Sequence, residues 1–376
     1  MRLGGNLYNR WEFAGAFGDL GTLIPFLVGY ITINKIDPVG ILVAFGAFKV
    51  FAGLYFKTPI PIQPMKAIGG AAIAHPGTIT HGMVWASGLF TGLLWLAMGL
   101  SGAITWIARL TSKPVVRGIM LGLGLSFILS GIGMMREQPI IALLALILTF
   151  LLLTSKRVPA MLALLLFGVF VSLIQTPTLV SEIRHISPHF RLPEIALFKI
   201  SWRDLAGGVL VLGIPQAPLT LGNAIIATVA ENNSLFPDRP INERTVAIDH
   251  GFMNLVSAAI GGVPMCHGAG GMAGHVRFGA RTGGALVILG VIVLFLGLFF
   301  SDSVATLFKM FPSAVLGVIL FFAGLELAAV IEDISLEKKN VYVLIVTTGL
   351  AMWNIGVAFL AGLLLDYGLR KGLVRV

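Results

Sequence analysis

Lys66 is the residue whose type and place could do the clearest chemistry. It follows Pro64-Met65 and leads into Ala67-Ile-Gly-Gly-Ala-Ala-Ile-Ala-His75, so a cation stands at the head of an otherwise apolar run. The first turn of a helix offers unpaired backbone N–H groups and a partial positive charge, a setting that repels a cation and attracts an anion. A bound dianion would offset both the ammonium and the dipole. The alternative is that Lys66 pairs with a structural carboxylate, Asp19. The two readings can coexist, with Asp19 as the resting partner.

Other polar residues stand in similar company. Gln63 precedes the same run and could donate its amide to a ligand. Gln216, Thr220 and Asn223 are spaced by four and three residues, so they share one helical face and could present neutral donors to an oxyanion. Polar contacts between helices explain each of the three equally well. His267 lies in Pro264-Met-Cys-His-Gly-Ala-Gly-Gly271 and could donate a ring N–H, or hold structure by a hydrogen bond. Met65, Ala67, Cys266 and Gly268 complete the expected substrate-binding set beside the two runs, although the Met65 side chain itself reads as packing. Asp19, in Phe17-Gly-Asp-Leu-Gly-Thr22, is an acid in an apolar context that could carry a proton, or else serve as an ion-pair partner or cap. No catalytic residue, metal or cofactor is expected. Cys266 is the single cysteine, which excludes an internal disulfide and a cysteine-rich metal site. It cannot form a nucleophile dyad with its neighbour His267, because adjacent helical residues do not face each other.

The elements that position these residues follow from composition. Of 376 residues, 57% are hydrophobic and 11% charged, against roughly 25% charged in soluble domains. Runs 82–107, 138–154, 159–176 and 284–301 approach the length of about 20 apolar residues that a membrane span needs. The expected class is an all-α polytopic membrane protein. Met1 to Arg10 is polar, so no cleavable leader is expected. The net charge of +9 fits basic loops held against anionic lipid rather than nucleic acid.

Residues 64–75 and 264–275 match at Pro64/Pro264, Met65/Met265, Gly70/Gly270 and His75/His275, an offset of 200. Two hydrophobic stretches precede each run (11–30 and 39–56; 203–229 and 245–262), and four segments follow each. Two repeats of about seven segments, 14 in total, therefore cover 1–176 and 203–376, joined by a polar connection at 177–202. Seven is odd, so the second repeat is inverted. With both termini in the cytoplasm of a multi-pass cell-membrane protein, most of the 26 Lys and Arg fall inside, including Arg109, Lys113, Arg117, Lys156, Arg157, Arg277, Arg281, Arg370, Lys371 and Arg375. Residues 340–370 fit two short helices or one long one.

Segments three and ten are too short to cross. Twelve residues make about 18 Å of helix, against about 30 Å of hydrocarbon. The stretch Thr58-Pro-Ile-Pro-Ile-Gln63 is proline-broken and should be extended. Each half-helix thus begins near mid-membrane, with its proline in the first turn. Two such starts facing each other make an anion site.

These residues carry a resemblance. Phe17–Thr22, Pro61-Ile-Gln-Pro-Met-Lys-Ala67, Pro264–Gly271 and Arg277-Phe-Gly-Ala-Arg281 resemble the molybdate transporter family, which is related to the SulP sulfate permeases; Ile214-Pro-Gln216 is also similar to SulP sequences. The resemblance spans nearly the whole chain. It implies core and gate domains, an oxyanion held between segments three and ten, and proton-linked uptake of molybdate by a secondary active transporter. The SulP regulatory domain is not expected after Val376. Many SulP proteins carry an acid in segment eight where Asn223 stands here, which moves the weight of proton coupling onto Asp19. The expected partners are molybdate or a similar oxyanion (sulfate, tungstate), protons and the lipid bilayer, with a homodimer admitted. A sulfate permease, a nucleobase permease and an anion channel are the alternatives. An intramembrane enzyme lacks its paired carboxylates, metal cluster or activated nucleophile.

Overall fold

Helix starts in this chain follow capping chemistry. Asp37 accepts the N–H of Val39 with Pro38 in the first turn, Thr80 accepts that of Met83, and Asn354 that of Val357. Between such caps the apolar runs form helices nearly throughout the computed structural model. The structure describes residues 2–373 except Pro76, Lys156, Arg157, Val330, Glu332, Asp333 and Leu336, and without the side chains of Ala74 and Glu326. Of the basic residues assigned to the cytoplasmic side, Lys156, Arg157 and Arg375 lie outside this range.

The expected segments appear as Pro38–Phe56, His81–Ser101, Lys113–Met135, Pro139–Leu152, Ala160–Gln175, Glu243–Ala259 and Gly284–Phe299. Residues 340–370 are two helices, Lys338–Trp353 and Ile355–Arg370. The first expected segment is broken at Phe17–Asp19 into Arg10–Ala16 and Leu20–Ile33, bent by 43°. Segment eight is one helix, Trp202–Leu235, threaded with π-helical turns. Among the described residues four helices are long and apolar enough to cross a membrane alone, or seven if each of three bent pairs counts as one span. This is short of fourteen, because Ala160–Gln175, Gly284–Phe299, Lys338–Trp353 and Ile355–Arg370 each run for only 16 residues.

Packing joins the early part of the chain to the late part. Lys113–Met135 lies along Ser313–Ala329, Pro38–Phe56 along Gly284–Phe299, and His81–Ser101 along Glu243–Ala259. Lys49 and Asp249, separated by the same offset as the repeat, are both buried.

At the centre two extended stretches cross. Gln63–Pro64 pairs antiparallel with Met265–Cys266, Gln63 opposite Cys266 and Pro64 opposite Met265. Short helices leave this crossing at Lys66–Ala74 and Ala269–Arg277. The prolines are therefore not in the first helical turns. Pro64 belongs to the ladder, and the Pro264 carbonyl accepts the N–H of Met65 at 2.9 Å. Irregular backbone buried this deeply needs partners for its polar groups, and side chains supply them. Lys49 Nζ donates to Ile62 O (2.7 Å), Ser257 to Val263 O (2.8 Å), and Asn254 brackets both backbone groups of Met265.

The second short helix touches the first-helix break through two glycines. A Cβ on Gly18 would meet the Gly274 carbonyl, and one on Gly274 would meet the Gly18 carbonyl. Neither backbone can yield cheaply. Gly274→Val is expected to cost about 1–3 kcal/mol by overpacking, read as a lower unfolding midpoint in detergent; an unchanged midpoint would count against this close approach.

Candidate functional site

The site has an inner polar cluster and an adjoining cavity. Asp19 is the residue before Leu20–Val28 and is 2% exposed. Its Oδ1 accepts from Thr22 Oγ1 and, at 2.5 Å, from Gln63 Nε2. Gln63 Nε2 also donates to Thr22 Oγ1 at 3.0 Å. Among the described residues Asp19 Oδ2, Gln63 Oε1 and Asn223 Oδ1 have no hydrogen-bond partner. A Cβ on Gly268 would strike Gln63 Oε1 and lie 3.7 Å from Asn223 Nδ2, so glycine lets Gln63 and Asn223 close over the second helix start.

On segment eight the Gln216–Thr220 part of the expected face is engaged with protein. Gln216 Nε2 donates to Thr220 Oγ1 (3.0 Å), while Gln216 Oε1 accepts the N–H of Ala67 (2.9 Å). Gln216 thus caps the start of the first short helix from the far part of the chain. Both ring nitrogens of His267 face protein, as in the structural alternative. Nδ1 of its ring lies 2.9 Å from Pro61 O and Nε2 lies 2.8 Å from Asp249 Oδ2, so both nitrogens are occupied. Cys266 is buried with Sγ 3.8 Å from Pro64 O, and Met65 packs in the core.

Lys66 opens onto a cavity of about 520 Å³. Thr22, Phe26, Lys66 and Ala67 line it together with Ser126, Phe127, Ser130, Trp353 and Asn354. Lys66 Nζ sits 4.3 Å from the centre of the Phe127 ring, a cation–π contact. It has no hydrogen-bond partner among the described residues, so the pairing with Asp19 is not formed. Phe127 also presses on Gly270, where a Cβ would collide with the ring. The ring therefore stands between the two helix starts. Of the expected residues only Lys66 and Ala67 line the cavity; the second helix start lies behind Phe127, Gln63 and Asn223.

Several contributors escaped the sequence reading. Thr22 links cavity and cluster and stood within the quoted motif. Asp249 and Lys49 are charges in apolar segments and could have been found by that sign alone. Phe127, Ser126, Ser130 and Asn354 carry no local signal.

Known proteins resemble the chain in sequence and in shape. A family model described as molybdate transporter of the MFS superfamily matches residues 11–127 and 208–327. Molybdate transporter 2 of Arabidopsis thaliana is 31% identical over 91% of this chain and 82% of its own length. Molybdate transporter 1 of Chlamydomonas reinhardtii is 28% identical, over 94% and 90% respectively. Among solved structures, the transmembrane domain of a cyanobacterium bicarbonate transporter, BicA, superposes with TM-score 0.53 at 18% identity, covering 96% of this chain and 99% of that one. The murine Slc26a9 anion transporter in the inward-facing state gives TM-score 0.63 at 12% identity, over 98% and 69%. These two likenesses speak for the fold. With a model matched over well over half its length and a relative above 30% identity, the chain belongs to the molybdate transporter family, a family of membrane transporters and not of enzymes.

Proposed function

We propose that the chain is a proton-coupled secondary transporter that takes up molybdate through the Lys66 cavity. The observation that carries this reading is the buried ammonium of Lys66 at a helix start, with no hydrogen-bond partner among the described residues, in a cavity shared with Thr22, Ser126, Ser130 and Asn354. An uncompensated buried charge costs several kcal/mol, and a tetrahedral dianion arriving there removes that cost. The Ser130 hydroxyl and the Asn354 amide N–H can donate to the remaining oxygens, and Ser126 can do so on leaving Gly122 O, without trapping the ion; the Thr22 hydroxyl already donates to Asp19.

Two inverted repeats, 1–176 and 203–376 joined by 177–202, suit the molecule. The central ladder and the pairing of early with late helices are what a two-fold relation would produce. The cavity is lined from Leu20–Val28, the first short helix and Trp202–Leu235, and from Lys113–Met135, Ser313–Ala329 and the last two helices. This arrangement suits a core moving against a gate. We place the protein in the cell membrane with cytoplasmic termini, on the basic loops and on Phe198 and Trp202, whose 86% and 85% exposure suits an aromatic belt at the opposite interface.

Coupling follows from charge. Bringing a dianion inward against about 100 mV costs about 4.6 kcal/mol, and each proton brought with it returns about 2.3. Asp19, with one carboxylate oxygen that has no hydrogen-bond partner among the described residues, is the first candidate carrier of such a proton. Tracer molybdate uptake into proteoliposomes, with tungstate, sulfate and selenate as competitors, tests the reading. Tungstate is expected to compete best, being nearest in size. Stronger competition by sulfate would make the protein a sulfate permease, and no saturable uptake would remove the proposal.

A further inference from the structure

Electroneutral entry of a dianion needs two protons, and Asp19 supplies a place for one. The following rests on the proton-coupled reading above. Asp249, on Glu243–Ala259, faces His267 with Oδ2 2.8 Å from Nε2, and their side chains are 5% and 0% exposed. The far ring nitrogen, Nδ1, lies 2.9 Å from Pro61 O. A carbonyl only accepts, so Nδ1 carries a hydrogen. One further proton position remains, between Nε2 and Oδ2. Without that proton two acceptors would face each other at 2.8 Å, so the spacing suits a proton held between them.

The neighbouring groups leave this position distinct. His250 accepts the His267 peptide N–H on Nε2 (3.2 Å) and donates from Nδ1 to Val246 O (3.0 Å), so its ring is neutral and fully used. His275 donates to Gly15 O and has no hydrogen-bonded carboxylate among the described residues. Lys49, on Pro38–Phe56, is committed to Ile62 O; Cys266 contacts Pro64 O. Asp19, Lys66, Tyr30 and, on Thr228–Leu235, Glu231 are further ionisable groups with buried polar atoms in the interior. Asp249 Oδ1 has no partner among the described residues.

The pair is also wired to the anion site. His267 is the residue before Gly268, where the second short helix begins, and it holds Pro61, two residues before Gln63. Loss of the shared proton would drive Asp249 and His267 apart and so move both strands of the crossing.

We propose that the Asp249–His267 pair is a second proton site of this transporter, carrying one proton per oxyanion alongside Asp19. Only a proton moves: it leaves a hydronium ion outside, sits between Nε2 and Oδ2, and passes to water inside.

The stoichiometry decides it. In proteoliposomes of the full chain, the pH gradient that just balances an imposed voltage at zero net tracer molybdate flux gives protons per molybdate. The expected result is two for the wild type and one for Asp249→Asn, with Asp249→Glu returning two. A wild-type ratio of one, or a ratio of two in Asp249→Asn, overturns the second site while leaving proton coupling standing. A wild type indifferent to the proton gradient overturns the coupled reading itself. Nitrogen NMR of histidine-labelled wild type needs no variant: the His267 ring signals are expected to shift when molybdate is added at fixed pH, and unmoved signals reject the assignment.

Discussion

Replacing Lys66 by methionine or alanine is expected to abolish most molybdate uptake while leaving a folded protein. The ammonium is buried at the wall of the cavity and makes no hydrogen bond among the described residues; it lies against the face of Phe127. Structure therefore loses little when it goes. Methionine keeps the apolar stem against the ring and removes only the charge. The bound anion loses a buried, charge-assisted contact, about 2–5 kcal/mol, and that is roughly thirty-fold or more in affinity. Lys66→Arg is expected to fall between, since its planar fork keeps the charge but needs more room. Saturation curves of tracer uptake, at matched amounts of folded protein, check this. Wild-type affinity in Lys66→Met would refute the role given to the ammonium.

Asp19→Asn is expected to separate binding from accumulation. The Oδ1 contacts with Thr22 and Gln63 are available to an amide oxygen, so the cluster should hold. The buried Oδ2 becomes an NH₂ that cannot gain or lose a proton. For each coupled proton, one unit of pH gradient is worth about tenfold in the accumulation ratio. The variant should lose that factor while still exchanging internal for external molybdate. Equal steepness of accumulation against pH gradient in variant and wild type would move the proton elsewhere.

The residues that govern both results were legible for a physical reason. Lys66 and Asp19 are charges in apolar surroundings, and such charges are rare enough to be read one at a time. The short helices at Lys66–Ala74 and Ala269–Arg277 followed from chain length against membrane thickness. Their starting points did not, because whether Pro64 begins a helix or joins a ladder depends on Met265, which is distant in sequence. His267 shows the same limit. Its type permits ligand donation, and only the fold reveals that Asp249 and Pro61 already occupy both nitrogens. Other lining residues were illegible outright: Phe127 and Ser126 look like ordinary residues of an apolar helix, and Asn354 like a helix cap, until packing brings them to the same cavity as Lys66.

The two-residue ladder at the centre also has a consequence for biogenesis. Gln63 finds its partner only when Cys266 has been translated; at about 5–20 residues per second, about two hundred residues take roughly 10–40 s. Throughout that delay a nascent chain holds Lys49, Lys66 and Asp19 with no ladder to shelter them. Insertion machinery or a chaperone must shield those charges until the ribosome finishes the later strand, so premature termination before Cys266 should yield a product destined for quality-control proteolysis.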